Sequence, residues 1–250
     1  MKGKKKMNAI ETVKLTRRFG DLTAVNALDL TIPEGELFAL LGVNGAGKTT
    51  AIRMLCGLLP PTSGDALLLG HSITRDAAAA KALLNVSPQE TAVAGSLTVR
   101  ENLAFIAGIY GMNRRAAGEA ADASIERMGL QSVAKRRAKQ LSGGWQRRLS
   151  IAMGLITNPK ILFMDEPTLG LDVLARRELW QVIEGLRGQI TVVLTTHYLE
   201  EAEALSDRVG VMAGGRLLAL GTARELIDRA GAKNFEDAFV SLAAGREMIA

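Results

Sequence analysis

One segment of the chain has the residue types and spacing of a phosphate-binding loop. Residues 42–49 fit the pattern G-x-x-x-x-G-K-[ST]. Its glycines allow successive backbone N–H groups to point at phosphate oxygens, while Lys48 can neutralise the β- and γ-oxygens and the Thr49 hydroxyl can bind Mg²⁺. We therefore expect a polyphosphate ligand. The residues predicted to contact it are Gly42, Val43, Asn44, Gly45, Ala46, Gly47, Lys48, Thr49 and Thr50.

Two carboxylates follow a short apolar run further along the chain. Residues 161–164 are entirely apolar and are followed by Asp165 and Glu166. This pattern places both acids at the carboxyl end of a buried strand, where open α/β sheets bind their ligands. Asp165 can hold Mg²⁺ through water, and Glu166 can orient or deprotonate a water that attacks the γ-phosphate. An acid pair alone would be read as a helix cap, but the phosphate loop favours the catalytic interpretation.

Three further polar positions are weaker signals when each is taken alone. His197 closes the run 190–196, but a lone histidine is usually structural. Gln89 lies in a turn and could reach Mg²⁺ or the water, although an isolated glutamine usually has no such role. Ser142 suits the cap of a helix, and the N–H groups of Gly143 and Gly144 could form a second anion site.

Apolar patterns predict the elements that would position these residues. Alternation indicates a strand at 28–32, and dense apolar runs predict buried strands at 37–41, 161–164 and 190–194. We expect an α/β P-loop core with a mostly parallel sheet and an N-terminal antiparallel β region. Further predicted elements are a helix at 49–59, an Ala-rich segment at 76–84, a capping box at Thr98 and Glu101, a helical insertion at about 90–155, a crossover helix at 175–186 and a hairpin at 209–220.

Composition excludes several classes of protein. The 250 residues are 48% apolar, so a sizeable core is expected and disorder is not. The formal net charge is +5, but a basic tail at residues 1–7 contributes Lys2, Lys4, Lys5 and Lys6. The folded body is then nearly neutral, and we expect no nucleic-acid partner. Cys56 is the single cysteine, so no internal disulfide can form. No apolar run is long enough for a membrane span or a secretory signal, so we expect a soluble chain in a reducing cytoplasm.

Together, these motifs resemble the nucleotide-binding domain of ATP-binding cassette (ABC) proteins in both order and spacing. The resemblance covers nearly the whole chain, with the domain at 8–230 and a C-terminal helical extension at 231–250. It implies ATP and Mg²⁺ as ligands. It also implies a dimer, expected to be a homodimer, in which the phosphate loop of one domain faces the Ser142-Gly143-Gly144 segment of the other across two ATP molecules.

The same resemblance implies roles for individual residues. Phe19 would stack on adenine, and Val25 would also contact the nucleotide. Gln89 would lie in the loop that senses a transmembrane partner, and Asp172 would communicate across the dimer. His197 would contact the γ-phosphate, with Glu166 as the catalytic carboxylate.

Residues 235–240 resemble the tail of ABC-2 type exporter ATPases. The expected partner is then a transmembrane permease on another chain, with this chain held at the cytoplasmic face of the membrane. One departure is Trp145, which stands where the family usually has glutamine. The alternative is a soluble ABC ATPase acting on nucleic acid or ribosomes, whose relatives generally carry two cassettes or a coiled-coil insertion. A GTPase or small-molecule kinase is disfavoured, because the chain has no Asn-Lys-x-Asp run.

Overall fold

The computed structural model describes residues 7–244, so residues 1–6 of the predicted basic tail and 245–250 of the predicted extension lie outside it. In this part, the strands are β1 Asn8–Phe19, β2 Leu22–Pro33, β3 Leu37–Leu41, β4 Ser63–Leu68, β5 His71–Ser72, β6 Leu84–Ser87, β7 Ile161–Asp165, β8 Thr191–Thr196, β9 Arg208–Ala213 and β10 Arg216–Gly221. The helices are α1 Lys48–Leu55, α2 Ala77–Ala82, α3 Val99–Ile109, α4 Arg114–Arg127, α5 Gly143–Leu155, α6 Val173–Glu184, α7 Leu199–Leu205, α8 Ala223–Ala230 and α9 Phe235–Ala244.

The central sheet has six strands in the order β10-β9-β3-β8-β7-β6. Strands β9, β3, β8, β7 and β6 run parallel, and β10 pairs antiparallel with β9 at one edge. Every residue of β3, β7 and β8 is buried, as expected for strands covered on both faces. The carboxyl ends of β3, β6, β7 and β8 therefore lie at one edge, and each precedes a predicted functional residue.

Two hydrophobic cores lie on opposite faces of this sheet. Phe38 and Leu40 of β3 belong to the core shared with α1 and the N-terminal sheet. Leu37 and Leu41 of the same strand face the other core, which α5 and α6 cover. This division follows from the two-residue period of a strand, which sends successive side chains to opposite faces.

The N-terminal region forms a separate antiparallel sheet in the order β2-β1-β4-β5. The alternation predicted at 28–32 lies within β2, so this strand and the antiparallel region are confirmed. Alternation does not reveal β1, because its pairing with β2 is interrupted by register shifts and Lys14 adopts a positive φ of 46°.

Several predicted elements are confirmed with shifted ends. Helix α1 ends at Leu55, four residues before its predicted end, because Gly57 adopts a φ of +65° that a helix cannot continue. The Ala-rich segment contains α2, but its last residue, Leu84, begins β6. The crossover helix α6 and the hairpin of β9 and β10 lie where the sequence predicts them.

Three helices, α3, α4 and α5, occupy the predicted helical insertion between β6 and β7. Two short 3-10 turns, Gln131–Val133 and Ala138–Gln140, connect α4 to α5. The capping box predicted at the start of α3 is confirmed, since the hydroxyl of Thr98 accepts from Glu101 N–H and the Glu101 carboxylate accepts from Thr98 N–H. The boundaries of the insertion as a separate subdomain stay a prediction.

Candidate functional site

The phosphate loop connects β3 to α1, as the sequence predicts. Gly47, the residue before α1, has a φ of +101°, and a Cβ atom there would lie 2.3 Å from the carbonyl oxygen of Ala24. Only glycine fits this position, both for its backbone conformation and for its space. The loop can therefore bring its N–H groups close to a ligand at the start of α1.

Lys48 folds back over this loop and is only 5% exposed. Its ammonium group donates to the carbonyl oxygens of Gly42 at 2.7 Å and Val43 at 3.2 Å, and it lies 3.8 Å from Glu166 Oε1. Burial lowers the pKa of Lys48, while the charges of Glu166 and Asp165 oppose that shift. The carboxylates of Glu166 and Asp165 offset the burial of this cation only in part, and an anionic ligand would add to that compensation.

Asp165 ends β7 beside the first turn of α1. Its Oδ1 accepts from the Thr49 hydroxyl at 3.1 Å and from the Thr195 hydroxyl at 2.5 Å. These contacts join the ends of β7 and β8 to the phosphate loop. Sequence patterns do not single out Thr195, which is fully buried in an apolar strand.

Glu166 is held by its own backbone in an uncommon conformation. Its φ is +46°, in the left-handed region that residues with a Cβ atom rarely adopt. Its N–H donates to the backbone oxygen of Thr195 at 3.1 Å and to the hydroxyl of the same residue at 3.0 Å. Such strain clusters at functional sites, where surrounding bonds hold the conformation.

His197 lies directly after β8 and faces the same carboxylate. Its Nδ1 is 3.1 Å from Glu166 Oε1, although the angle is unsuitable for a hydrogen bond, and Nδ1 has no hydrogen-bond partner among residues 7–244. The imidazole stacks on Tyr198, with ring centroids 4.2 Å apart. The structure thus brings Lys48, Glu166 and His197 together above the phosphate loop.

An open cavity of about 760 Å³ lies over these groups. Its wall includes most of the residues predicted to contact the nucleotide, and Leu22, Thr23, Ala24, Leu169, Gly214 and Gly215 extend it. The predicted residues in the wall are Phe19, Asn44, Gly45, Ala46, Gly47, Lys48, Thr49, Thr50, Gln89, Glu166 and His197.

The two residues expected near adenine differ in their placement. Phe19 is 46% exposed at the cavity, and the guanidinium of Arg17 lies 4.6 Å from its ring centroid. Val25 is fully buried in the core beneath the N-terminal sheet. Its side chain therefore does not reach the cavity, although the resemblance implied a contact with the nucleotide. Thr23 and Ala24 line the wall instead. Ala24 directly precedes Val25, and successive side chains of a strand point to opposite faces, so burial of Val25 turns Ala24 toward the cavity.

Gln89 is exposed at the cavity, and its backbone accepts a hydrogen bond from a helix that is distant in sequence. Arg147 of α5, only 5% exposed, donates to the carbonyl oxygen of Pro88 at 2.6 Å and also to that of Gln89. Burial lowers the pKa of Arg147, and Asp165 and Glu201 oppose that shift. Sequence patterns do not reveal this contact, because the partners are 58 and 59 residues apart.

The Ser142-Gly143-Gly144 segment does not line this cavity. It begins α5, as predicted, but the Ser142 side chain makes no capping hydrogen bond within the described part of the chain. Trp145 packs beside it, with the guanidinium of Arg148 4.7 Å from the Trp145 ring centroid.

Asp172 begins the neighbouring helix α6, and its carboxylate accepts from Ala175 N–H at 2.9 Å. The two helix starts are close, since a Cβ atom on Gly144 would lie 3.0 Å from the Cβ of Ala175. Ser142, Gly143 and Asp172 are all exposed.

The donors beside the phosphate loop suit Mg²⁺. The Thr49 hydroxyl and the Asp165 carboxylate lie 3.1 Å apart and are both oxygen ligands. Among the residues that the structure describes, no three His, Cys, Asp or Glu side chains converge to hold a metal alone.

A phosphate loop between a buried strand and a helix, with an acid pair on a neighbouring strand, defines a P-loop nucleotide-binding protein. The ABC transporter family model matches residues 25–169, which is more than half of the chain. The chain belongs to the ABC transporter family, and its fold is that of the family's ATP-binding domain.

Curated relatives include several proteins named as ATP-binding proteins. The chain is 41% identical over 239 residues to the probable multidrug ABC transporter ATP-binding protein YbhF of Escherichia coli, covering 93% of this chain but 41% of that protein. It is 42% identical to the Nod factor export ATP-binding protein I of Rhizobium etli, over 89% of this chain and 71% of that protein. It is also 42% identical to the daunorubicin resistance ATP-binding protein DrrA3 of Streptomyces coeruleorubidus, over 84% of this chain and 67% of that protein.

Two solved structures share the fold. An ATP-binding subunit of an ABC transporter aligns with a TM-score of 0.81 and 24% identity, over 94% of this chain and 99% of that one. The second is cbiO1 of Clostridium perfringens, described as part of the ABC transporter complex cbiONQ. It aligns with a TM-score of 0.79 and 25% identity, over 90% of this chain and 96% of that one. None of the helices between residues 7 and 244 has the length and apolar character needed to span a membrane.

Proposed function

We propose that this chain binds Mg·ATP at residues 42–49, hydrolyses it, and thereby drives a transmembrane permease on another chain. The observation that carries the proposal is the position of Glu166. Its carboxylate lies 3.8 Å from Lys48 Nζ and 3.1 Å from His197 Nδ1, beside the loop that would hold the phosphates. Three groups suited to γ-phosphate chemistry thus converge from three strand ends.

Glu166 is the proposed general base. In the reaction, a water oxygen attacks the γ-phosphorus while the bond to the β-phosphate oxygen breaks in line, and the water proton passes to the Glu166 carboxylate. Lys48 neutralises charge on the β- and γ-oxygens, and His197 contacts the γ-phosphate. Phe19 stacks on the adenine, with Arg17 beside the same ring.

Thr49 and Asp165 would hold Mg²⁺, with Gln89 as a further proposed ligand. When bound, the ion neutralises charge on the phosphate oxygens. Thr195 places Asp165 for this task through its hydroxyl, which also fixes the N–H of Glu166.

The active unit is proposed to be a homodimer with two shared sites. Ser142 and Gly143 are exposed, and the Ser142-Gly143-Gly144 segment is separate from the cavity of its own chain, so it can meet the γ-phosphate held by another. Beside it, Asp172 is followed by Val173 and Leu174, which are 62% and 75% exposed. Exposed apolar side chains next to a potential anion site support burial against a second copy.

Export is the proposed direction, at the cytoplasmic face of a membrane. One relative is named for Nod factor export, and this name supports export by this chain. The names of two others refer to a multidrug transporter and to daunorubicin resistance, which fit removal of a compound from the cell. Those names differ in what is moved, so the substrate would be set by the permease.

The central test is Glu166→Gln. The amide can hydrogen-bond a water but cannot accept its proton, so the variant should bind ATP and lose turnover, and ATP should then stabilise a dimer. Phosphate release and sedimentation with Mg·ATP measure both effects, in the presence of the permease if the isolated chain is slow. The control is Glu200→Gln on the exposed side of α7, which should leave turnover unchanged. A Glu166→Gln rate above about a tenth of the wild-type rate would contradict the assignment, since general base catalysis contributes about 10²- to 10⁴-fold.

A further inference from the structure

Glu201 is a carboxylate buried inside the protein, four residues after His197. It lies in the first turn of α7 and its exposed fraction is 0%. Burying a carboxylate is costly unless other groups compensate for the lost water. Glu201 has no role in the proposed reaction, so the groups that compensate for its burial indicate another role.

Groups from three other elements surround this carboxylate. Trp180 of α6 donates its indole N–H to Glu201 Oε1 at 3.2 Å. The hydroxyls of Thr196 and Thr168 and the charge of Arg176 favour the ionised form, but burial is the larger effect and raises the pKa of Glu201. The second oxygen, Oε2, and the Thr168 hydroxyl are buried and lack a hydrogen bond of good geometry among residues 7–244.

The positions of the two threonines connect this cluster to the catalytic groups. Thr168 lies two residues after Glu166, and Thr196 lies directly before His197. Both threonines are buried, with exposed fractions of 0% and 1%. The two threonines that act on the Glu201 carboxylate thus belong to the segment that carries the general base and to the segment that carries the histidine.

Helix α6 supports the second segment at another point. The guanidinium of Arg176 lies 4.6 Å from the ring centroid of Tyr198, and that ring stacks on His197. Arg176 and Trp180 are one helical turn apart, so a single face of α6 contacts both Tyr198 and Glu201. The cluster thus joins α6, α7 and the ends of β7 and β8.

We propose that Glu201 is a positioning residue that holds the segments of Glu166 and His197 in a fixed relation through Thr168, Thr196 and Trp180. The inference rests on the proposed hydrolysis of ATP. The indole N–H of Trp180 donates to Glu201, so loss of the carboxylate would leave that partly buried donor without its partner and weaken the contact between α6 and α7. Glu201 does not line the nucleotide cavity, so its effect should fall on turnover and not on ATP binding.

Three variants test the proposal. Glu201→Leu removes both carboxylate oxygens, whereas Glu201→Gln keeps an acceptor for Trp180 and a polar group for the threonines. Glu200→Leu makes the same charge change on the exposed neighbour and controls for the loss of an acid at the start of α7. We expect Glu201→Leu to lower kcat by roughly tenfold or more, as small misplacements of catalytic groups do, with ATP affinity within about twofold of wild type. Glu201→Gln should recover most of the turnover, and Glu200→Leu should match wild type.

Hydrogen exchange in the intact protein supplies a readout that does not depend on turnover. Glu201→Leu should increase exchange at both 166–169 and 196–199, while residues 42–49 stay as protected as in wild type. Wild-type exchange at either of the first two segments, or turnover of Glu201→Leu equal to that of wild type, would overturn the positioning role. Absence of ATP hydrolysis by the wild-type chain with its permease would instead refute the proposed function, a result that these variants do not produce.

Discussion

Glu166 combines a catalytic side chain with a backbone conformation that its residue type disfavours. A φ of +46° costs a residue with a Cβ atom roughly 1–2 kcal/mol relative to the right-handed region, and glycine avoids this penalty. The hydrogen bonds that the Glu166 N–H donates to Thr195 hold the conformation in place. The site therefore keeps a carboxylate at the expense of local stability.

This strain leads to a prediction about stability. Glu166→Gly should be more stable than Glu166→Ala by about 1 kcal/mol, because only glycine adopts the positive φ without strain, and neither variant should hydrolyse ATP. Denaturant unfolding of the two variants measures the difference. At Glu203, an exposed position inside α7, the same pair should rank in the opposite order, since glycine in a helix costs about 1 kcal/mol relative to alanine. An alanine variant at least as stable as the glycine variant at position 166 would refute the strain.

At the scale of elements, α5 links two predicted motifs. It begins with the Ser142-Gly143-Gly144 segment, and one turn later Arg147 binds the backbone that carries Gln89. The Gln89 segment therefore cannot move alone: either α5 moves with it, or the hydrogen bonds of Arg147 break. The proposed partner-sensing loop and the proposed dimer contact belong to one connected unit.

Arg147→Met tests this link. The variant removes donors from the carbonyl oxygens of Pro88 and Gln89, so it should lower the free energy of unfolding by about 1–3 kcal/mol. Arg177→Met is the matched control, because Arg177 is exposed on α6 and exposed substitutions usually change stability by no more than about 0.5 kcal/mol. If Arg147→Met is at least as stable as wild type, the free-energy cost of burying the guanidinium equals or exceeds the stabilisation by its hydrogen bonds.

At the scale of the whole molecule, the phosphate loop and the Ser142 segment belong to separate surfaces of one chain. The proposed sites are therefore composite, and the prediction concerns mixtures of variants. Ser142→Arg should leave ATP binding to the monomer nearly intact and block dimerisation and hydrolysis, because a bulky side chain would occupy the place of the neighbour's γ-phosphate. Lys48→Ala should weaken ATP binding itself, because it removes the cation of the phosphate loop.

Mixing the two variants should recover part of the ATPase activity. One site of the heterodimer would combine the intact phosphate loop of the Ser142→Arg chain with the intact Ser142 of the Lys48→Ala chain. Activity as a function of mixing ratio and total protein concentration measures this recovery. If Ser142→Arg alone hydrolyses ATP at the wild-type rate, and this rate does not depend on protein concentration, the segment only begins a helix. The sites are then not shared between chains.

The sequence alone determined the features that depend on neighbours along the chain. The phosphate loop, the acid pair after the apolar run and the capping box of α3 are each encoded within a few residues, so spacing and residue type suffice to predict them. Apolar runs likewise predicted β3, β7 and β8, because strands buried on both faces are rich in apolar side chains. The resemblance of these motifs to ABC proteins agrees with the family match.

Only the tertiary structure decided which distant residues support the site. Thr195 contacts Asp165 across 30 positions, Arg147 reaches Gln89 across 58, and Trp180 meets Glu201 across 21. No periodicity records such contacts, because they arise where parallel strand ends and crossover helices converge. The same holds for Val25, whose predicted nucleotide contact depended on which face of β2 points to the core. Local spacing thus specifies the chemistry of each motif, while the convergence of strand ends specifies the groups that hold those motifs in place.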